Sequence, residues 1–199
     1  MAYLTDEEAL AALNMTVTAN VPEVEAARLA AEAAIDAYCQ RTFNVPTSAT
    51  ARSFVPPRNV CDPLPVPDIA NTTGLIIANG GATLAASVYQ LEVSPGQVNQ
   101  TALDGRSRPY TLVRLLSGDW SNSSVDGEAT ISITARWGWP TVPPEVKVAA
   151  KLLTKDFFQA GDLRFGFADV GEFGRRVAAN SMVVQLLAPL RRAESFGIA

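Results

Sequence analysis

One stretch changes from the two-residue repeat of a strand to the start of a helix: Ala129-Thr-Ile-Ser-Ile-Thr-Ala-Arg-Trp-Gly-Trp-Pro-Thr-Val-Pro-Pro-Glu-Val-Lys147. This change organises the whole chain. In the first half of the stretch, Ile131, Ile133 and Ala135 alternate with small polar residues, which is the pattern of a strand with one buried face. In its second half, Pro143-Pro144-Glu145 suits the first turn of a helix, where a missing N–H costs nothing. The stretch therefore predicts a β segment that ends just before a helix.

Downstream, the helix is predicted to run to about Gln159, with an apolar face formed by Val146, Ala150, Leu153 and Phe157. A glycine-rich loop over 161–176 follows it. A short helix is then predicted over 180–187, with Asn180 as its N-cap and Pro189 as its stop.

Two more helices are predicted at the N-terminus. Thr5 and Glu8 have the spacing of a capping box, which opens a short helix through Leu13. The alanine-rich segment 22–41 begins with a proline, and its apolar residues recur at helical spacing: Val24, Ala27, Ala31, Ile35 and Tyr38.

The middle of the chain has a different pattern. Six prolines lie between 46 and 67 and argue against a helix there. Four β-type runs follow, at 74–78, 88–92, 110–115 and 129–137. Turn signals separate them: Gly80-Gly81, Asp104-Gly105 and Asp126-Gly127. This region predicts a small antiparallel sheet or barrel.

The fold class predicted from these patterns is α+β, a helical bundle with an inserted small antiparallel β domain. Residues 1–45 and 140–192 are assigned to the bundle, 46–139 to the β insertion and 193–199 to a C-terminal tail.

The amino-acid composition excludes several classes of protein and of site. The 199 residues are 48% hydrophobic and 18% charged, which excludes a wholly disordered chain. No apolar run approaches a membrane span, and the start lacks the order of a signal peptide, so we expect no membrane association. Histidine is absent, and Cys39 and Cys61 are two thiols that cannot complete a four-cysteine zinc site. We therefore expect no catalytic residues, no metal and no cofactor, and interpret both cysteines as reduced.

Charge is unevenly distributed along the chain. Residues 1–45 carry seven acidic and two basic residues, whereas residues 140–199 carry six acidic and eight basic ones. This asymmetry suits subunits that pack head to tail, although a solvated surface explains it equally well. The net charge of −4 argues against a dedicated DNA-binding protein.

All three lysines lie on one helix. Lys147, Lys151 and Lys155 are four residues apart and form one stripe. The stripe is either a cationic face toward nucleic acid or an acidic neighbour, or the solvent face of an amphipathic helix.

Tryptophans offer a second ambiguous feature. Trp120, Trp137 and Trp139 could form an aromatic platform for a sugar or a base. The structural interpretation is that Trp137 and Trp139 fill the junction between sheet and helices.

Two C-terminal segments carry apolar residues that either fold back on the chain's own core or are buried in an interface with another subunit. The 161–176 loop has three phenylalanines despite its glycines, and the end of the chain has leucines followed by an arginine pair. The candidate interface residues are Phe165, Phe167, Phe173, Arg175, Arg176, Leu186, Leu187, Leu190, Arg191 and Arg192.

Several segments together resemble a known family. They are Tyr38-Cys-Gln-Arg41 after an alanine-rich helix, Arg-Trp-Gly-Trp-Pro-x-Val-Pro-Pro-Glu-Val-Lys at 136–147, Phe-Gly-Phe-Ala-Asp-Val-Gly-Glu-Phe-Gly at 165–174, and Leu-Leu-Ala-Pro-Leu-Arg-Arg at 186–192. Their order resembles the head–tail connector (adaptor, head-completion) proteins of long-tailed double-stranded-DNA bacteriophages. The β insertion is larger than in the minimal helical connectors.

This resemblance implies a structural virion protein without enzymatic activity, located at the head–tail junction and assembled in the host cytoplasm. It implies a connector-like bundle that forms a ring of twelve subunits below the portal protein. The ring would extend the channel for DNA, without sequence-specific binding, and dock the next connector or tail protein. It leaves Lys147, Lys151 and Lys155 as a possible channel stripe. The alternative is a non-catalytic module that binds a carbohydrate or nucleotide through the β domain, with Trp120 or Trp139 against the ligand.

Overall fold

The computed structural model describes residues 3–15, 21–59, 62–101, 105–121, 128–160 and 180–192. The chain divides into two compact units, a helical unit (1–44 and 142–199) and a β unit (45–141). The helices are α1 (Asp6–Ala12), α2 (Val21–Cys39), α3 (Pro144–Ala160) and α4 (Ser181–Leu187). The strands are β1 (Thr50–Phe54), β2 (Leu64–Ile69), β3 (Ile76–Asn79), β4 (Ala82–Thr83), β5 (Tyr89–Glu92), β6 (Tyr110–Leu115) and β7 (Ile131–Ala135).

Local signals place the ends of the short helices. The Thr5 hydroxyl accepts the Glu8 N–H and the Glu8 carboxylate accepts the Thr5 N–H, so the capping box that opens α1 is confirmed. Asn180 accepts the Val183 N–H at 3.3 Å, which confirms it as the N-cap of α4. A single 3-10 turn, Ala188–Leu190, follows α4 and contains Pro189.

In the helical unit, α2 and α3 pack against each other through small and branched residues. The apolar faces predicted for both helices are buried, except that Tyr38 is only half-buried. The α1 helix contacts both α2 and α3, and α4 contacts α3. Ala9, Leu10 and Val24 form a small apolar cluster, with Phe158 packed beside it.

The β unit contains two antiparallel sheets. The first has the order β1-β7-β3-β4, and the second has the order β2-β6-β5. Their inner faces share one core, formed by Leu64, Val66, Ile69, Ile77, Leu91, Val113, Trp120, Ile131, Ile133 and Ala135. An isolated bridge between Ile69 and Trp137 joins the end of β2 to the chain that leaves β7. The two sheets are therefore linked at one corner of the unit.

The predicted fold class, a helical bundle with an inserted small antiparallel β domain, is wrong. The described residues form a mixed α/β fold with seven strands in two antiparallel sheets and four helices, of which α1 and α4 have seven residues each. Helices of two turns are too short to run along a bundle, so α2 and α3 form a long pair flanked by two short helices. The prediction failed because alanine-rich periodicity is a strong local signal, whereas the two-sheet arrangement depends on pairings distant in sequence.

Three strands were not predicted: β1, β2 and the two-residue β4. The reasons for β1 and β2 are identifiable. The five residues of β1, Thr50-Ala-Arg-Ser-Phe54, are mostly exposed and show no apolar alternation. The β2 strand contains Pro65 and Pro67, which read as strand breakers. They are tolerated because β2 is an edge strand and its pairing with β6 is irregular between Pro65 and Ile69.

Candidate functional site

The lysine stripe of α3 meets an acidic neighbour in its own chain. The Nζ atom of Lys147 lies 3.6 Å from Oε1 of Glu8, which belongs to α1. The Thr5 backbone N–H holds the pKa of Glu8 below its ordinary value, and the charges of Lys147 and Lys151 lower it further. Lys151 is half-buried, whereas Lys155 is exposed. One end of the stripe thus supports the packing of α1 on α3, and the other end faces outward.

Outward-facing residues of α3 and α2 differ in charge. On α3, Val148 is 46% exposed and shares its side of the helix with Lys151 and Lys155. On α2, Leu29 is 52% exposed, and Glu23 and Glu25 are exposed near it. Each outer face combines apolar side chains with charges of one sign.

The C-terminal candidates divide into two groups. Leu187 and Leu190 are buried within the helical unit, and Leu186 is half-buried. The Arg191 guanidinium lies 5.8 Å from the centre of the Tyr38 ring, and the Arg192 N–H donates to the Cys39 carbonyl at 2.9 Å. These contacts fasten the segment after α4 to the end of α2. The other candidates, Phe165, Phe167, Phe173, Arg175 and Arg176, lie outside the described residues.

A polar network at the N-terminus was not predicted. The Tyr3 hydroxyl donates to Oδ1 of Asp36 and accepts the Phe43 N–H at 2.8 Å. The Tyr3 N–H donates to Glu32 at 3.0 Å, and Arg28 pairs with the same carboxylate. The spacing of Arg28, Glu32 and Asp36, one helical turn apart, is the signal that could have revealed a polar face on α2.

Burial sets the titration behaviour of this network. Desolvation raises the pKa of Asp36 to about 6, and the nearby Glu32 charge raises it too, against the effect of the Tyr3 hydrogen bond. Desolvation also raises the pKa of Tyr3, so its hydroxyl stays protonated. Burial raises the pKa of the free thiol of Cys39 to about 12, which makes this cysteine a poor nucleophile. Cys61 lies outside the described residues.

The β unit contains a buried carboxylate held by four donors. Glu92 is 1% exposed and accepts from Arg114 Nε at 2.6 Å and Arg114 Nη2 at 3.3 Å. The Gly96 N–H and the Gln90 side chain also donate to it. The Arg114 hydrogen bond is the main cause that lowers the pKa of Glu92. This arrangement holds the turn after β5 and keeps the Glu92 carboxylate ionised, so it is not poised to donate a proton.

The tryptophans that were considered as an alternative ligand platform make structural contacts. Trp120 and Trp139 are 2% and 3% exposed, and their indole N–H groups donate to the Asp62 carbonyl and to Asp68 Oδ2, each at 3.0 Å. The proposal that either ring stacks on a ligand is therefore wrong, because neither ring offers a face to solvent. Trp137 is half-buried and packs beneath the guanidinium of Arg52, at 4.6 Å.

An open groove lies elsewhere in the β unit. It has a volume of about 480 Å³ and is lined by Thr72, Leu75, Ala86, Tyr89, Leu91 and Tyr110. None of these described lining residues is charged, so they supply no charged group to orient a substrate. Within the described ranges, no three acidic or cysteine side chains are arranged to hold a metal ion. No described helix has the length and hydropathy of a membrane span.

Comparison with known proteins finds solved structures with a similar fold. No family model matches the chain. No curated protein matches it either. Four chains of solved structures do match. One of them comes from a structure described as the neck of an empty GTA particle, computed with C6 symmetry. It shares 17% sequence identity and a TM-score of 0.55, over 98% of this chain and 92% of the other. The chain therefore resembles this neighbour in fold along almost its whole length.

Proposed function

We propose that this chain is a structural virion protein, a head-to-tail adaptor in the neck of a phage-like particle. The supporting observation is the match to a particle-neck chain, which spans nearly all of both proteins and so includes both units of this one. The sequence resemblance to head–tail connectors, noted at the junction 136–147 and near the C-terminus, points to the same role independently. A non-enzymatic role agrees with the structural contacts of three carboxylates, those of Glu8, Asp36 and Glu92.

The assembled form in this proposal is a ring below the portal protein. The sixfold symmetry applied to the neighbouring structure is compatible with a ring of twelve subunits, because twelve copies contain a sixfold axis. The ring would extend the channel through which DNA passes without sequence-specific contacts, and would dock the next connector or tail protein. Phe165, Phe167, Phe173, Arg175, Arg176 and the half-buried Leu186 remain the proposed contacts to these neighbours. Leu187 and Leu190 are occupied in the chain's own core.

Localising the protein in particles tests this function. A tagged copy expressed in cells that make the particles should be recovered in purified particles, and electron microscopy should place the tag at the head–tail junction. Removing the protein should leave filled heads and free tails. Particles that join heads to tails at normal yield without it would refute the adaptor role. A monomeric protein that instead binds a sugar or nucleotide would favour the ligand-binding alternative.

A further inference from the structure

The two long helices expose faces that point in opposite directions. Buried residues of α2, such as Ala27 and Ala31, and of α3, such as Ala149 and Ala150, pack the two helices together. Residues on the far side of each helix therefore point away from the partner helix. The outer faces of α2 and α3 lie on opposite sides of the pair.

The outer face of α3 is basic and apolar. Val148 is 46% exposed, Leu152 is half-buried one turn later, and Lys151 and Lys155 run alongside them. The exposed Asp156 lies toward α4, where it accepts a hydrogen bond from Asn180 at 3.1 Å. A neighbouring surface that covered this face would meet two ammonium groups beside two branched side chains.

The outer face of α2 has the complementary character. Leu29 is 52% exposed at its centre, and the exposed Glu25 lies one turn before it on the same side of the helix. The exposed Glu23 lies further toward the start of α2. Arg28, the single basic residue of α2, is 8% exposed and pairs with Asp6 and Glu32 on another side of the helix. Exposed alanines surround Leu29, so the backbone of an approaching helix can come close.

We propose that the outer face of α2 in one copy of this chain docks on the outer face of α3 in the next copy. The occupant is a second copy because each face presents what the other lacks: carboxylates against ammonium groups, and alanines against Val148 and Leu152. Contact between two identical faces would instead oppose lysine to lysine or glutamate to glutamate. This inference rests on the proposed ring and names its subunit interface.

An interface between two different faces is head to tail. Each docking step leaves one free α2 face and one free α3 face, so the contact repeats until a ring closes. The interface would account for part of the uneven charge of the chain, namely the exposed Glu23 and Glu25 on α2 and the two outer lysines, Lys151 and Lys155, on α3.

Paired charge reversals test this interface in solution. The first variant carries Lys151→Glu and Lys155→Glu, and the second carries Glu23→Lys and Glu25→Lys. In either variant alone, like charges meet at the contact between the α2 face of one copy and the α3 face of the next. The mass of the protein in solution should therefore fall to that of a monomer. Mixed together, the two variants restore opposite charges at every contact, and high-mass assemblies should return. Arg58→Glu, an exposed reversal in the β unit, is the matched control and should assemble normally. Circular dichroism checks that each variant is folded.

Disulfide trapping tests it in particles. Leu29→Cys and Leu152→Cys in a Cys61→Ser background should yield a ladder of crosslinked oligomers on an oxidised gel. The two cysteines cannot pair within one copy, because helix axes alone are about 8–10 Å apart and these faces point outward. Leu29→Cys combined with Leu116→Cys, which is 56% exposed in the β unit, should give no ladder.

The outcomes separate the interface from the proposed function. Protein present at the neck without a Leu29–Leu152 ladder would overturn this interface and leave the adaptor role intact. Protein absent from particles would overturn the adaptor role. Without particles, the interface is judged in solution. It is overturned if the reversal variants assemble like the wild type or if their mixture stays monomeric. It is also overturned if the wild type neither assembles nor crosslinks.

Discussion

The Tyr3 hydroxyl donates a hydrogen bond to the Asp36 carboxylate, 33 residues further along the chain. This bond joins the segment before α1 to the last turns of α2, and the Phe43 N–H completes it by donating to the same hydroxyl. The N-terminal segment is therefore held by side-chain contacts rather than by a helix or a strand. The attachment of this segment depends on the Tyr3 hydroxyl and the Asp36 carboxylate, and each group can be tested by substitution.

The first prediction concerns pH. Because the pKa of Asp36 is raised to about 6 in the folded protein, the folded state binds more protons than the unfolded state above the ordinary aspartate pKa. Stability should therefore fall as pH rises from about 4 to about 6, by at most about 2 kcal/mol once solvent screening is discounted, and then level off. Urea unfolding across this range measures the slope. Asp36→Asn should flatten it, and an unchanged slope in that variant would refute the assignment. Glu8 and Glu92, whose pKa values are lowered, act in the opposite sense at lower pH.

Removing the phenol hydroxyl is the second test. Tyr3→Phe leaves a buried Phe43 N–H and the Asp36 carboxylate without their shared partner, so the free energy of unfolding should fall by about 1–3 kcal/mol. Tyr38→Phe removes the same group from a half-buried ring of the same unit and is the matched control. Equal losses in the two variants would mean that the Tyr3 network contributes nothing specific.

A third prediction addresses the buried carboxylate of the β unit. Arg114→Met removes two hydrogen bonds from Glu92, which is 1% exposed, and should lower the Tm by on the order of 5 °C. Adding Glu92→Met should recover part of the loss, because it removes the unpaired charge. Arg58→Met, at an exposed site, controls for loss of a surface cation. A double variant less stable than Arg114→Met alone would contradict this account.

The fourth prediction uses tryptophan fluorescence. Trp120 and Trp139 are buried, whereas Trp137 is half-buried, so a soluble quencher should act mainly on Trp137. Trp137→Phe should remove most of the quenching by iodide, and Trp139→Phe should remove little. Strong residual quenching in the Trp137→Phe variant would mean that a second indole is accessible to ligands after all.

The last prediction separates two roles of the lysine stripe. Lys147→Gln should weaken the packing of α1 by less than about 1 kcal/mol, because its pair with Glu8 is partly exposed. Changing Lys151 and Lys155 to Gln should leave stability unchanged. If the stripe lines the DNA channel, the triple variant should alter DNA retention or ejection in well-formed particles. Normal DNA behaviour in those particles would leave the lysines to the subunit interface or to solvent.

Local features of the fold were predictable from sequence, and tertiary ones were not. The capping box at Thr5 and the N-cap at Asn180 involve residues three apart, so sequence alone reveals them. The β2 strand was not predicted because Pro65 and Pro67 argue against a strand. They are tolerated at the edge of a sheet, and only the sheet order shows that β2 lies there. The fold class failed for the same reason, since nothing local indicates that seven strands divide into two sheets.

The candidate site shows the same limit. The lysine spacing on α3 was visible, but its partner Glu8 lies on another helix and is brought near only by packing. The leucines at the end of α4 and just after it were interpreted as interface candidates, because sequence shows that they are apolar but not what they pack against. Leu187 and Leu190 are buried in the helical unit. The structural role of Tyr3 could not be predicted from sequence, because its hydrogen-bond partners are about thirty positions or more away.

The pairing of β1 with β7 has a mechanical consequence. Thr50 lies opposite Ala135, so the first and last strands of the β unit run side by side with their outer ends together. A pull on the two ends of this unit would first load the backbone bonds that join Arg136 and Gly138 to Ala70 and Asp68. It would then load the Thr50–Ala135 pair, and the Phe54–Ile131 pair last. Hydrogen bonds that break one after another resist far less force than bonds loaded together in shear. The pairing of the first and last strands is thus arranged so that its hydrogen bonds would open one after another, from the outer ends inward.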